Sequence, residues 1–514
     1  MEGRGGIRLS SHREAIDRLT AARDTGGWKD VLRVLTEHWD SLYRDHPAEL
    51  LRTLDAMSED VLDRDPRLRL GRRDLRRAQD ARAEAEIPPV PRGGKPVERL
   101  AALTDQIAAA RSMGRLAVAV DTADTAVTYF HSLPIEVLPA LSRSLPAFLY
   151  QWGATYVQAG RFSDALHQFA EGVEVSRSVD NRMMMTACGG GAALVHALHG
   201  RAREAETFLQ ELPPLRGDEW WAAPAPGLLA DAWLQVDRLD YAAAAERIAR
   251  VDIARSPAYW VAYFVIRTYL AAAGQESRQA LLAEFDTFIE SLPAGGVASP
   301  VHAEAISIVR YLLLLHLRRP GQALRELDPE PVTSQADVFT QLAATIYASH
   351  LLTLGRRDQA RRLVFPLLDV PNSRPRILIR ALLIAAEVDT LEQNEEFLRR
   401  ATELAHWHSH YSPFILSPPP TRQRAAELLE ESGDPDMAER IRALPERRFE
   451  PTINALTPKE TAVVELAVSG LTNAEMANRL HISTNTVKSH LRSAYAKLGV
   501  SNRRQLAERL GSAR

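Results

Sequence analysis

The chain has 514 residues, 46% of them hydrophobic and 25% charged, with a formal net charge of −3. That balance excludes a disordered polyelectrolyte and fits either several globular domains or one long repeat array. The single cysteine, Cys188, excludes an intramolecular disulfide and a cysteine-built metal centre, and points to a reducing compartment, the cytoplasm.

The first residues, MEGRGGIRLSSHREA, lack the apolar stretch of a secretory signal. Residues 1–86 read as an N-terminal helical segment. Within it, residues 24–47 form a predicted helix hairpin with Trp28 and Trp39 as packing anchors. Residues 87–97 carry prolines and glycines and read as a linker. Gly93-Gly94-Lys95 is the nearest approach to a phosphate-binding loop. Pro96 follows and no strand precedes, so no nucleotide site is expected there.

From residue 98 to residue 410, apolar residues recur at three- and four-residue spacing with almost no alternation, which predicts an all-α fold of stacked helix hairpins. The stretch LYQWGATYVQAGRFSDALHQFAEGVEVS is the clearest hairpin. Small residues at Gly153, Ala165 and Gly172 permit close helix approach, Tyr156 and Phe169 fill the space between, and AGRF makes the turn. This resembles the tetratricopeptide pattern. Further turns are predicted at HGRAREAE, VDRLDYAAAAE, AGQESRQAL, RPGQALREL and LGRRDQARRL, spaced by roughly 35–45 residues as two-helix repeats are. The apolar runs at 311–317 and 378–388 fall short of the about 20 residues that span a bilayer and read as buried helices. Met183 to Met185 and Cys188 to Gly191 read as core, with the three glycines inviting a bend. Trp220 and Trp221 read as hairpin core. His406, His408 and His410 would share a face and suit a metal on extended backbone; on a helix they splay apart, and a solvated helix end is the reading taken. No catalytic constellation stands out. The chain is expected to be no enzyme and to hold no cofactor or metal.

Residues 411–450, with Pro418 to Pro420, read as a linker bearing short helices. Residues 451–514 differ in charge from everything before them. They hold nine basic and four acidic residues, a surplus of +5, leaving −8 for residues 1–450. On charge alone this fits a polyanion partner or a solvated helix face. The capping signals are more specific. Thr457 with Glu460, Thr472 with Glu475, Ser483, and Asn502 with Gln505 mark four helix starts, each cap worth about 1 kcal/mol, and Gly470 marks a helix end. Val487, Leu491, Ala494 and Leu498 form an apolar stripe, Ile482 points inward from the turn, and Asn485, Lys488, Ser489 and Arg492 face the other way. Two short helices, a tight turn and a basic outer face are the features of a helix-turn-helix.

The run LTPKE…GLTNAEMANRLHISTNTVKSHLRSAYAKLGVSNR resembles the LuxR-type helix-turn-helix family through Leu456-Thr457-Pro458, Glu460, Gly470-Leu471, Glu475-Met476-Ala477, Leu480, Ile482-Ser483, Thr486-Val487-Lys488, His490-Leu491, Lys497-Leu498-Gly499-Val500 and Arg503. The resemblance implies a third helix in the DNA major groove and a fourth that pairs with a second subunit, hence a homodimer on DNA. It implies base-facing roles for Lys488, Ser489 and Arg492, and phosphate-positioning roles for Asn485, Thr486 and Lys497. Ala467 and Ala494 depart from the family in being smaller than its usual core residues. A helical array ahead of this module resembles MalT-like, ATP-dependent LuxR regulators, without their nucleotide loop. The implied function is a bacterial-type, sequence-specific transcriptional regulator whose body senses a ligand or partner, with RNA polymerase or another protein as a further partner. The competing expectation is a helical-repeat scaffold that binds proteins and uses DNA contact only for localisation.

Overall fold

The computed structural model describes residues 15–24, 26–62, 68, 71–72, 75–76, 95–213, 225–253, 256–293, 299–317, 319–327, 336–353, 355–368, 374–388, 391–444, 456–468, 470–498, 502–503 and 505–506. Every regular element among them is helical, so the all-α reading holds. Among the described residues no helix is long and apolar enough to cross a membrane. Trp220, Trp221, Gly93 and Gly94 lie outside them.

Three large apolar clusters, with a small one at Met184 and Ala187, organise these helices. In the N-terminal segment, α1 (Trp28–Asp45) and α2 (Pro47–Asp55) bury Leu35, Leu42, Leu50 and Leu54. Here α1 is one helix with a kink at His38 (φ −123°, ψ 16°), where a hairpin was expected. Trp39 packs against the cluster, its ring 2.4 Å from where a Cβ on Gly71 would sit. Trp28, expected as the second anchor, is 36% exposed.

The body runs through α3 (Pro96–Ser112), α4 (Leu116–His131), α5 (Leu145–Gln158), α6 (Phe162–Ser178), α7 (Arg182–Leu198), α8 (Ala202–Glu211), α9 (Ala225–Asp237), α10 (Tyr241–Ile248), α11 (Trp260–Ala272), α12 (Arg278–Ser291), α13 (Pro300–His316), α14 (Pro320–Glu326), α15 (Val338–Thr353), α16 (Arg357–Leu368), α17 (Pro375–Val388), α18 (Leu391–His408), α19 (Pro419–Glu431) and α20 (Pro435–Arg442). One continuous cluster, from Leu100 to Leu444, fills it. The expected turns form, and they share one device. The amide of Arg115 bonds to the Ala110 carbonyl, Arg161 to Tyr156, Arg201 to His196, Gln275 to Leu270 and Arg356 to Leu351, at 2.8–2.9 Å. This six-to-one bond closes the last helical turn and requires a left-handed residue just before the donor. Gly160 (φ 74°) and Gly200 (φ 77°) are two such residues; Asp180 and Leu239 take the same conformation without being glycine.

Close packing explains the small residues. A Cβ on Gly153 would lie 2.5 Å from the Phe169 ring and one on Gly191 2.7 Å from it, so the ring is held between two glycines. Gly190 lies against the backbone of Gly227 and Gly172 against the Cys188 sulfur. The sequence leaves a bend or a local pocket open at the three glycines, and the helix runs on through them. Arg182–Leu198 is continuous helix, because neighbours occupy the space that side chains would have taken. Cys188 is buried, and burial pushes its thiol well above the usual range.

Residues 411–444, read as a linker, bury Tyr411, Phe414, Ile415, Leu428, Leu429 and Ile441 in the same core. Pro419 opens a helix rather than preceding one. This segment is fastened at Asp237, the last residue of α9, whose side chain is 1% exposed. Its carboxylate accepts from Arg376 and, at 2.6 Å, from the Ser412 hydroxyl, while His410 Nδ1 lies 2.9 Å away. Its backbone carbonyl accepts from the Tyr411 amide at 2.8 Å. Arg376 also donates to the Ala197 and Leu198 carbonyls at 3.2 Å, and His410 Nε2 to Gly200 at 2.6 Å. The three histidines near 408 are thus split: His410 is buried in this network, and His406 faces Asp434 at 3.2 Å.

Burial alone would raise the Asp237 carboxyl, but Arg376 and His410 outweigh it and hold it well below the usual carboxylate range. The contribution to stability is therefore complete above the unfolded value of about 4 and falls away as pH drops below it. Asp237→Ala should cost about 3–5 kcal/mol, since it leaves Arg376 buried and unpaired. Urea melts at pH 7 measure this loss, and melts repeated down to pH 3 should show a shallower acid limb in the variant than in the wild type.

Candidate nucleic-acid interface

The C-terminal unit has its own core: Leu456, Val463, Val464, Ala467, Met476, Ala477, Val487, Leu491, Ala494 and Leu506. Its helices are α21 (Pro458–Val468), α22 (Asn473–Leu480) and α23 (Thr484–Leu498). Thr457 caps α21, and Glu460 answers with 2.6 Å from the Thr457 amide to Oε2. Gly470 (φ 92°) ends that helix, with the Leu471 amide on the Leu466 carbonyl at 3.2 Å. Thr472 and Glu475 form the second reciprocal cap, and the Thr472 amide lowers the Glu475 carboxyl.

The turn between α22 and α23 is tight because His481 adopts φ 53°, ψ 43°. The Ile482 amide then reaches back to the Ala477 carbonyl at 3.1 Å, and Ile482 packs against the core. Ser483 Oγ accepts from the Thr486 amide at 3.0 Å and starts α23. Asn502 caps the next helical residues through the Gln505 amide at 2.9 Å.

α23 is two-faced. Val487, Leu491 and Ala494 are buried, and Asn485, Lys488, Ser489 and Arg492 are exposed. At about 100° per residue, those four exposed positions span an arc of about 100°, opposite the buried stripe. Among the described residues, neither Lys488 nor Arg492 makes an ion pair. Thr486 is half-buried, and its hydroxyl lies 2.8 Å from that of Ser483, so it belongs as much to the cap as to the outer face. Lys497 and Leu498 fall within the helix, but their side chains lie outside the described residues.

Two couplings go beyond the sequence pattern. Glu460 is 4% exposed; one carboxylate oxygen serves the cap, and the other accepts the Ser493 hydroxyl at 2.6 Å. The N-terminus of α21 is thereby tied to the middle of α23. Arg503, counted in the basic surplus, folds back so that its Nε and Nη2 donate to the Ala467 carbonyl. It closes the end of α21, a favourable place for a cation. Glu460 shows in the sequence only as a capping partner; Ser493 carries no signal, because its meaning depends on what faces it.

Residues 454–510 match the family described as bacterial regulatory proteins, luxR family. The C-terminal unit is a LuxR-family helix-turn-helix domain. An HTH-type transcriptional regulator of Yersinia pestis, MalT, is 40% identical over 53 residues, 10% of this chain and 6% of MalT. SgaR of Hyphomicrobium methylovorum, named as a transcriptional regulatory protein, is 47% identical over 51 residues, 10% of this chain and 24% of SgaR. A protein of Mycobacterium tuberculosis strain H37Rv, named as an HTH-type transcriptional regulator, is 48% identical over 54 residues, 10% of this chain and 6% of its own. The match spans only a small share of each relative.

The Glu460–Ser493 bond predicts energetic coupling between the first and third helices of the LuxR domain. Glu460→Ala should destabilise the domain by about 1–3 kcal/mol and Ser493→Ala by about 0.5–1.5 kcal/mol. The double variant should fall short of the sum by about 0.5 kcal/mol or more. Chemical denaturation of the four proteins checks this; strict additivity would mean that the bond contributes nothing.

Proposed function

We propose that the chain is a sequence-specific DNA-binding regulator of transcription, with α23 as the helix that enters the major groove. The observation that carries this reading is the exposed, basic face of α23 in a LuxR-family domain whose opposite face is committed to the core. Arg492 has the fork geometry to bind O6 and N7 of a guanine, and Lys488 reaches the same edge or a phosphate. Ser489, short and uncharged, adds weak discrimination. Asn485, Thr486 and Lys497 set the register through phosphates. One such helix makes few contacts, so the domain works as a homodimer on two half-sites.

In this reading the helical body is the input. Stacked hairpins offer a long surface for a small effector or a protein, RNA polymerase among them. The body and the LuxR domain have separate apolar cores, which suits a sensor joined to an output unit.

Arg492→Ala should weaken binding to a selected operator by about 1–3 kcal/mol and relax base preference at one position of each half-site. Lys497→Ala should weaken all sequences alike and reduce the slope of log K against log salt by about one. Fluorescence anisotropy with specific and scrambled duplexes, across a salt series, separates the two effects; wild-type binding by both variants would sink the groove assignment.

Deleting residues 451–514 distinguishes a regulator from a scaffold. A regulator loses its transcriptional effect on reporter genes placed behind its bound operators, whereas a scaffold keeps its effect.

A further inference from the structure

The cleft between the first hairpins of the body holds a group of side chains for which DNA binding has no use. His131 is the last residue of α4. His167 and Glu171 stand four residues apart on α6, so the helix places them on one face. One ligand atom from each of the three lies within 4.8 Å of the others. The two imidazole rings have centroids 6.4 Å apart and planes 34° from parallel. Together with Ala170, Val173 and Phe208, the three line a cleft of about 580 Å³.

Glu171 carries a second signal. Its Oε2 is shielded from solvent and has no hydrogen-bond partner among the described residues. A carboxylate oxygen is costly in that state unless a cation or a donor completes it. The neighbouring acids do not share this condition. Arg177 pairs with Glu174 at 3.0 Å and with Glu211 at 2.9 Å, which fastens α6 to α8 beside the cleft.

We propose that His131, His167 and Glu171 bind a divalent transition-metal ion of the zinc class. Two imidazoles and one carboxylate are a borderline donor set, suited to zinc, cobalt or nickel and poor for calcium or magnesium. Bond lengths of about 2.0–2.2 Å put tetrahedral ligands about 3.3 Å apart, so the three atoms need only draw inward from their present spacing. Both imidazoles are exposed. The carbonyl end of α4, where His131 stands, favours a cation. Three protein ligands leave a fourth position, open to the cleft, for water or an effector's donor atom.

Such an ion would join α4 to α6 and so add to the Arg161–Asp124 ion pair, at 2.7 Å, that already links these two successive hairpins. Metal binding then stabilises the array by an amount that grows with the logarithm of free metal above its Kd. It gives the body an input that no single stretch of sequence displays, because His131 and His167 belong to different repeats.

The test uses the full chain, stripped with a chelator and dialysed. Zinc is titrated by calorimetry, and cobalt by its visible ligand-field absorption. The expected result is one equivalent with the bands of a four-coordinate site. His131→Ala, His167→Ala and Glu171→Gln should each weaken binding about tenfold or more. His406→Ala, on a distant helix, should leave it unchanged. Zinc should raise the melting temperature of the wild type and not that of the three variants. Both histidines are exposed, and far-ultraviolet circular dichroism of each variant controls for misfolding. Absence of a bound equivalent in the wild type at micromolar zinc overturns the proposal, as do titrations of the three variants that superimpose on the wild type.

Discussion

The carboxylate of Asp237 is the point on which the body's closure depends. Side chains from α17 and from the segment after α18 converge on it, more than 130 residues away along the chain. Taking a carboxylate and a guanidinium out of water costs several kcal/mol per ion, and the cost is offset only when the remaining donors and acceptors are also filled. Here they are filled by turns. Arg376 spends its other N–H groups on the open carbonyls at the end of α7, and His410 reaches the carbonyl of Gly200 in the next turn. Gly200 has room for this because a Cβ there would lie 2.9 Å from His410 Nε2. A repeat array left to itself grows as a line of neighbours. This network joins distant repeats and makes 411–444 part of the body.

The rest of the body follows from one local device repeated. Within the hairpins, helix after helix ends in a left-handed residue and a six-to-one hydrogen bond, as at Gly114, Gly160, Gly200, Gly274 and Gly355, and the next begins at once, often with an arginine at the junction. The turn costs little where glycine supplies it and about 1–2 kcal/mol where Asp180 or Leu239 must. Tertiary packing tolerates that cost. Between the turns, ring-against-glycine contacts set how near the helices lie, and Phe169 between Gly153 and Gly191 is the tightest example.

This division explains what could be read in the sequence. Turns, caps and the apolar stripe of α23 are local: each needs residues within about six positions of one another, and each appears where its residues stand. Trp28 stands exposed although its size predicts burial, because a large aromatic residue is buried only where something covers it. The glycines of α7 invited a bend because their neighbours in space, Phe169, Leu212 and Gly227, cannot be read from their neighbours in the chain. The proline-rich segment at 418 looked like a break for the same reason. Proline at a helix start and proline in a linker have the same local signature, and only the core around Leu428 and Leu429 distinguishes them. The network that joins Asp237, Arg376 and His410 carries no sequence signal, since its members lie far apart in the chain.

The LuxR domain shows the same logic at smaller scale, with a consequence for its charge. Nine basic residues stand in the last 64 of the chain, and they do not count equally toward a polyanion. Arg503 is occupied with the Ala467 carbonyl, so its charge stabilises the domain's own first helix. Lys488 and Arg492 are exposed on α23, held there by a stripe whose small member, Ala494, lies against the core. Glu460, buried in the core of the domain, meets the helix at Ser493, one residue past Arg492 and on the inner edge of its face. Any tilt of α23 away from the core must break that bond and expose the cap it shares. The orientation of the basic face is therefore tied to the same carboxylate that starts the domain's first helix, and a partner acting on α21 would act on the basic face as well.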